Sequence, residues 1–145
     1  MVGASTEPNL VPYARVEVPD PDFLRLFSAT VSNVPRDVLP IRTLVKVRLR
    51  RKGRLRGLAG LTWYGTRQRP NTKARQHITF YTHLLDQLSK EAKVAVIAHE
   101  LAHAWLNEHL RPEQSRTREK EADDLARRWG FGEELAALEN ETETI

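Results

Sequence analysis

Residues 95–106, Ala-Val-Ile-Ala-His-Glu-Leu-Ala-His-Ala-Trp-Leu, carry only three ionisable side chains, His99, Glu100 and His103. On a helix, residues four apart share a face, with Cβ atoms about 6 Å apart, so both imidazoles can reach one ion. Glu100 projects beside them, placed to take a proton from a water that the ion activates. A helical wheel puts Val94, Ile97, Ala98, Leu101 and Trp105 on one apolar stripe. Ala92, Val96, Leu106 and Leu110 flank the histidines on the other side. A helix that is apolar nearly all round is buried. Burying a carboxylate and two imidazoles is costly unless something compensates. One divalent cation compensates all three, and zinc is the ion this donor chemistry implies. The bland alternative is a pair of hydrogen-bonded core histidines beside a salt-bridged Glu100.

The pattern extends this helix from Lys90 to His109, with Ser89 as its N-cap. A catalytic zinc site needs a third protein ligand and one position left open. The next helix is predicted from Arg116 to Trp129, ended by Gly130. On its wheel Glu119, Ala122, Asp123, Ala126 and Trp129 share one face. Glu119 and Asp123 are therefore the acids aimed inward, one turn apart. Glu119 fits as the ligand and Asp123 as the carboxylate that fixes a histidine tautomer. Small Ala122 permits a close helix approach. Glu121 points toward the polar face and ranks below. His109 completes a second spacing, His-Glu-x-x-His-x-x-x-x-x-His. That arrangement needs a helix-breaking glycine where this chain has Leu106, and in an unbroken helix His109 cannot reach the same ion.

Upstream, His77-Ile-Thr-Phe-Tyr81 is a short strand, with Ile78 and Phe80 on one side and His77, Thr79, Tyr81 and His83 on the other. Residues 43–64 are expected to form a hairpin turning at Gly53. Asp20-Pro21-Asp22 starts a helix that stops near Asn33, before Pro35. Residues 1–19 read as an extended arm, and residues 133–139 as a short helix before a frayed tail. The expectation is an α+β fold in one domain over residues 20–145, a small, mostly antiparallel sheet packed on the histidine-bearing helix and the glutamate-bearing helix after it.

Composition narrows the classes. With 145 residues and 40% hydrophobic content the chain can build one core. It has no cysteine, which removes disulfides, thiolate ligands and thiol nucleophiles. No stretch approaches the roughly 20 apolar residues of a membrane span, and the first residues lack a secretory pattern, so a soluble cytoplasmic protein is expected. Twelve Lys or Arg and no acid fall between Val38 and Leu85; from Asp86 onward there are fourteen acids and eight bases. A solvated Arg-rich hairpin explains the basic half, and a weak nucleic-acid contact through residues 42–75 is the functional alternative.

From Ile78 to Trp129 the chain resembles gluzincin peptidases, most closely the soluble part of HtpX-like peptidases. The residues that carry this are ITFY, Leu84-Leu85, AVIAHELAH and Glu119-Lys120-Glu121-Ala122-Asp123. The resemblance implies a zincin-like fold, Zn2+ held by His99, His103 and Glu119, Asp123 behind them, and hydrolysis of a peptide or protein substrate with Glu100 as general base. ImmA/IrrE-like peptidases share the Glu-x-Glu-Ala element. SprT-like proteases look similar around LAGLTWYG and AHELAHAW, but their third ligand is a later histidine and none follows His109 here. In gluzincins an edge strand before the active helix pairs with extended substrate, which puts the Thr79/Tyr81 side of HITFY at the cleft. Tyr81, His83, His109 and Tyr64 are the candidates for steadying an oxyanion. Two other readings compete: a non-catalytic zinc domain with His109 as a fourth ligand, and a latent enzyme covered by residues 1–19 or the acidic tail.

Overall fold

The structure, a computed structural model, describes residues 14–52, 59–64, 75–109 and 118–144. In chain order it has strand β1 (Arg15–Glu17), helix α1 (Pro21–Asn33), a 3-10 turn at Arg36–Val38, and strands β2 (Leu44–Arg50), β3 (Gly60–Tyr64) and β4 (Gln76–Tyr81). The one-turn helix α2 (Thr82–Leu85) and helices α3 (Lys90–His109), α4 (Arg118–Ala126) and α5 (Gly132–Thr144) follow. This is an α+β fold consistent with a small zincin-like domain. Among the described residues no helix is long and apolar enough to cross a membrane.

Local chemistry accounts for α1. Asp20 Oδ1 accepts from the backbone N–H groups of Asp22 and Phe23 at 3.0 and 3.2 Å, and Pro21 opens the first turn. Phe23 and Phe27 then bury their rings against Phe80 of β4, with centroids 5.2 and 6.2 Å apart. The helix ends at Asn33, where Val34 turns extended ahead of Pro35.

The strand pairing differs from the hairpin expected over residues 43–64. The sheet order is β1-β2-β4-β3, so β4 lies between the two strands that were to pair. β1 and β2 are parallel, β2 and β4 are parallel, and only β3 and β4 are antiparallel. The sheet is thus not mostly antiparallel. The reason is burial: five of the six β4 residues are buried, on both faces, as a central strand requires, whereas β2 carries Lys46, Arg48 and Arg50. Thr79 and Tyr81 are consequently covered, and Thr79 Oγ1 accepts from Arg48 Nε at 3.0 Å. They do not line an open cleft. The expected arm is also partly structured, since Arg15, Val16 and Glu17 pair with Lys46, Val47 and Arg48; residues 1–13 lie outside the described residues, as does the turn at Gly53.

Helix α3 runs from Lys90 to His109 as the pattern predicts, and Ser89 Oγ accepts from the Ala92 N–H at 3.1 Å. It is buried on almost every side, including Glu100 and Asn107. A polar clamp ties its far half to the sheet. The fully buried Gln76 Nε2 donates to Thr43 Oγ1 and to the Ala104 carbonyl, both at 2.8 Å, while its Oε1 accepts from Asn107 Nδ2 at 3.2 Å. Glu108 Oε1 accepts from the N–H and the hydroxyl of Thr43. Every polar arm of Gln76 is satisfied, which lets it sit in the core without a desolvation penalty.

After α4 the chain makes a wide turn over Arg127–Phe131, in which Gly130 adopts φ 104. An L side chain is strained there, so glycine marks the reversal. The tail does not fray as expected. α5 continues to Thr144 because Phe131 and Leu135 enter the core and Glu141 accepts from the Ser89 N–H at 2.7 Å. The acidic tail is therefore docked along α3.

Candidate metal centre

His99 and His103 project from one side of α3 with ring centroids 4.6 Å apart and planes nearly perpendicular. Both side chains are largely buried, at 14% and 13% exposure. α4 crosses α3 at Ala122, which has no exposed surface, and this close approach delivers both acids predicted to face inward. Glu119 Oε1 accepts from His103 Nε2 at 2.7 Å, and Oε2 lies 3.2 Å from His99 Nε2. Asp123 Oδ1 accepts from His99 Nδ1 at 2.7 Å. Lys120, Asp124, Arg127 and Arg128 are exposed, as the wheel requires.

The donor set fits a zinc ion. One ligand atom each from His99, His103 and Glu119 lie within 4.8 Å of one another. Around zinc with bonds of about 2.0 Å, tetrahedral donors stand about 3.3 Å apart, so donors already within 4.8 Å of one another can be gathered on one ion by side-chain adjustment alone. Among the described residues no fourth His or acid joins the group. Glu119 is 79% exposed although both its oxygens touch imidazole, so the cluster opens to solvent on its side. Three ligands and an open side are what separates a catalytic zinc site from a closed structural one.

Electrostatics describe the cluster without an ion. Burial pushes the His99 pKa down, but hydrogen bonds to Asp123 and Glu119 and the charges of Glu100 and Glu119 outweigh it and hold His99 at about 10. The hydrogen bonds from His103, and then from His99, hold Glu119 far below the usual carboxylate range. A proton on His99 thus occupies the place where a cation would sit.

Glu100 is only 6% exposed and faces β3. Thr62 Oγ1 lies 2.6 Å from Glu100 Oε1 and 3.1 Å from the Glu100 carbonyl oxygen. Opposite Gly60, an added Cβ would stand 3.0 Å from Glu100 Cγ and 3.3 Å from Oε2. These two β3 residues were not foreseen from the sequence. The available signal was the buried-charge argument itself: an inward carboxylate demands a donor, and the only aliphatic hydroxyl in LAGLTWY is that of Thr62.

The other candidates are engaged elsewhere. His109 stacks on Trp105 at 4.1 Å between centroids, and its Nδ1 donates to the Trp105 carbonyl at 3.2 Å. His83 Nδ1 donates to the Arg51 carbonyl at 2.9 Å. Tyr81 is buried at the end of β4. Glu121 is not among the three clustered donors. For Tyr64 the structure describes the strand backbone alone.

The fold and these side chains define a small zincin-like domain with a potential His-His-Glu metal site. The sequence pattern of the SprT-like family matches residues 26–119, and the chain belongs to that family, which is related to zincin-like metalloproteases. The match falls on one of the alternative likenesses rather than on the HtpX-like one, and its last residue is Glu119. Comparison with curated proteins and with solved structures returns no match.

Proposed function

We propose that the protein is a zinc-dependent metallopeptidase of the gluzincin type, with His99, His103 and Glu119 as metal ligands and Glu100 as general base. The observation that carries this reading is the convergence of Glu119 on both imidazoles while Asp123 holds the outer nitrogen of His99. The Glu119-x-x-Ala-Asp123 element follows the HtpX-like pattern and supports a glutamate as third ligand, where a SprT-like protease is expected to use a histidine.

Zinc, when bound, supplies Lewis acidity toward a peptide carbonyl and acidifies water at neutral pH. The protein's own groups do the rest. Asp123 fixes the His99 tautomer so that Nε2 faces the site. Glu100 accepts the proton of the attacking water and returns it to the leaving amine. Among the described strands β3 has a free edge, antiparallel to β4 and lying against α3. An extended peptide can add to that edge through main-chain hydrogen bonds. This moves the substrate-pairing role from β4 to β3.

We read residues 20–145 as one such domain, extended by β1, acting in the cytoplasm on a peptide or protein substrate. A weak nucleic-acid contact through residues 42–75 is a separate proposal. It draws support from the basic cluster at His77, whose pKa is lowered first by burial and then by the charges of Arg48, Lys46 and Arg75. Two of these bases already have partners, Glu17 for Lys46 and Thr79 for Arg48. Binding to duplex or single-stranded DNA that weakens with salt supports it, and no binding at low salt removes it.

The decisive test of the peptidase reading is Glu100→Gln. The variant should bind zinc with wild-type stoichiometry and lose turnover of a peptide substrate. Retained turnover removes the general-base assignment, and a wild-type chain that binds no zinc removes the whole reading.

A further inference from the structure

We infer that Thr62, on the glycine-60 floor of β3, is the positioning residue for the Glu100 carboxylate. The inference rests on the peptidase reading for its catalytic consequence, and on geometry for its existence.

A glutamate side chain has three rotatable bonds, and ordering it costs rotamer entropy. At Glu100 three contacts with one strand do this work. The Thr62 hydroxyl has a single proton, and its shorter contact, 2.6 Å, is with Glu100 Oε1. The same oxygen lies 3.1 Å from the Glu100 carbonyl, the longer of the two contacts competing for that proton. Gly60 removes the methyl group that any other residue would place 3.0 Å from Glu100 Cγ. β3 is itself fixed in register on the buried central strand, with Gly60 opposite Phe80 and Thr62 opposite Ile78. The position of Glu100 is thus referenced to the sheet as well as to α3.

An ionised carboxylate only accepts hydrogen bonds. Thr62 commits Oε1, which leaves Oε2 to receive the proton of an attacking water. A base must stand within about 2.6–3.2 Å of the group it deprotonates. A displacement of about 1 Å is enough to cost on the order of 100-fold in rate. Without the hydroxyl, Oε1 loses the donor that Thr62 supplies and the side chain is free to seek water elsewhere. The coupling has a direction: β3 is also the strand on whose free edge substrate is proposed to add, so one strand presents the peptide and holds the base.

The test compares Thr62→Val, which removes the hydroxyl at nearly constant shape, with Thr62→Ser, which keeps it and removes the methyl. Thr62→Ala serves as a second hydroxyl-free variant if the valine protein does not fold. The readouts are kcat and KM on a fluorogenic peptide, zinc affinity, and the 13C carboxyl resonance of Glu100, identified by its absence in Glu100→Gln. The hydroxyl-free variant should lower kcat by about 10- to 100-fold, with KM and zinc affinity within about twofold of wild type. Its Glu100 resonance should move, and Thr62→Ser should restore both kcat and resonance. Equal impairment of the serine and valine proteins would assign Thr62 a packing role and overturn the inference. A Glu100 resonance unmoved by loss of the hydroxyl overturns it as well, in active or inactive protein. A wild-type chain without peptidase activity sinks the functional reading instead, and leaves the resonance to judge Thr62.

Discussion

Zinc affinity should climb steeply with pH, because the ion must displace a proton that the cluster holds tightly. His99 donates through both nitrogens to carboxylates, Nδ1 to Asp123 at 2.7 Å and Nε2 toward Glu119 at 3.2 Å. Despite the burial that opposes it, this holds its pKa at about 10 in the metal-free protein. The sign follows from linkage. The raised pKa contributes stability to the metal-free fold that is fully present below the ordinary value of 6.5 and is lost as pH rises through about 10. Metal binding needs the unprotonated Nε2, so it competes with that proton throughout the same window. For each proton displaced, affinity rises tenfold per pH unit, about 1.4 kcal/mol. Between pH 7 and pH 9 the gain from His99 alone is therefore about 100-fold, or about 2.7 kcal/mol. Competition titrations against a chelator of known pH dependence measure it directly. Calorimetry in buffers of different ionisation enthalpy should count about one proton released per ion from this site. An affinity that stays flat from pH 7 to pH 9, with no proton released, would refute the account of His99.

Asp123→Asn should flatten that pH profile, since the amide oxygen can still accept from Nδ1 but no longer favours the imidazolium. Above pH 10, where proton competition has ended, it should weaken zinc binding by about tenfold, the low end for such partners because Asp123 is 46% exposed. The chelator titration repeated on the variant reads both effects. Gln76→Leu should cost about 1–3 kcal/mol in denaturant unfolding, because it removes the buried hydrogen bonds from Asn107 Nδ2 and to the Ala104 carbonyl; an unchanged midpoint would deny the clamp. Gly130→Ala should cost about 1–2 kcal/mol purely from the backbone at φ 104, as nothing lies within 4 Å of the added methyl. The same unfolding assay checks it, with zinc affinity expected to hold.

The legible parts were those whose cause is local. A 3.6-residue period, a serine at the start and three ionisable residues in an apolar run gave α3 its bounds and the site two of its candidate ligands. The wheel of α4 brought Glu119 and Asp123 to the right face because helical phase is fixed within the segment. The strands were a different matter. Residues 44–50 and 60–64 do form strands, but which strand lies beside which depends on what covers each face, and only the twofold burial of QHITFY put β4 in the middle. The tail looked frayed because its holding contacts, Phe131 and Leu135 in the core and Glu141 on Ser89, come from residues distant in sequence.

By itself, then, the order of residues determined the chemistry on offer: two imidazoles and a carboxylate on one buried helix face, with an acid pair one turn apart on the next. Tertiary structure alone decided what those groups meet. It seated Glu119 across both histidines, gave His99 its second carboxylate, and laid the Thr62 hydroxyl against Glu100. The physical reason is that helix phase is set by backbone geometry within a few residues, whereas strand order and the partners of buried polar groups are set by whichever distant surface arrives to cover them.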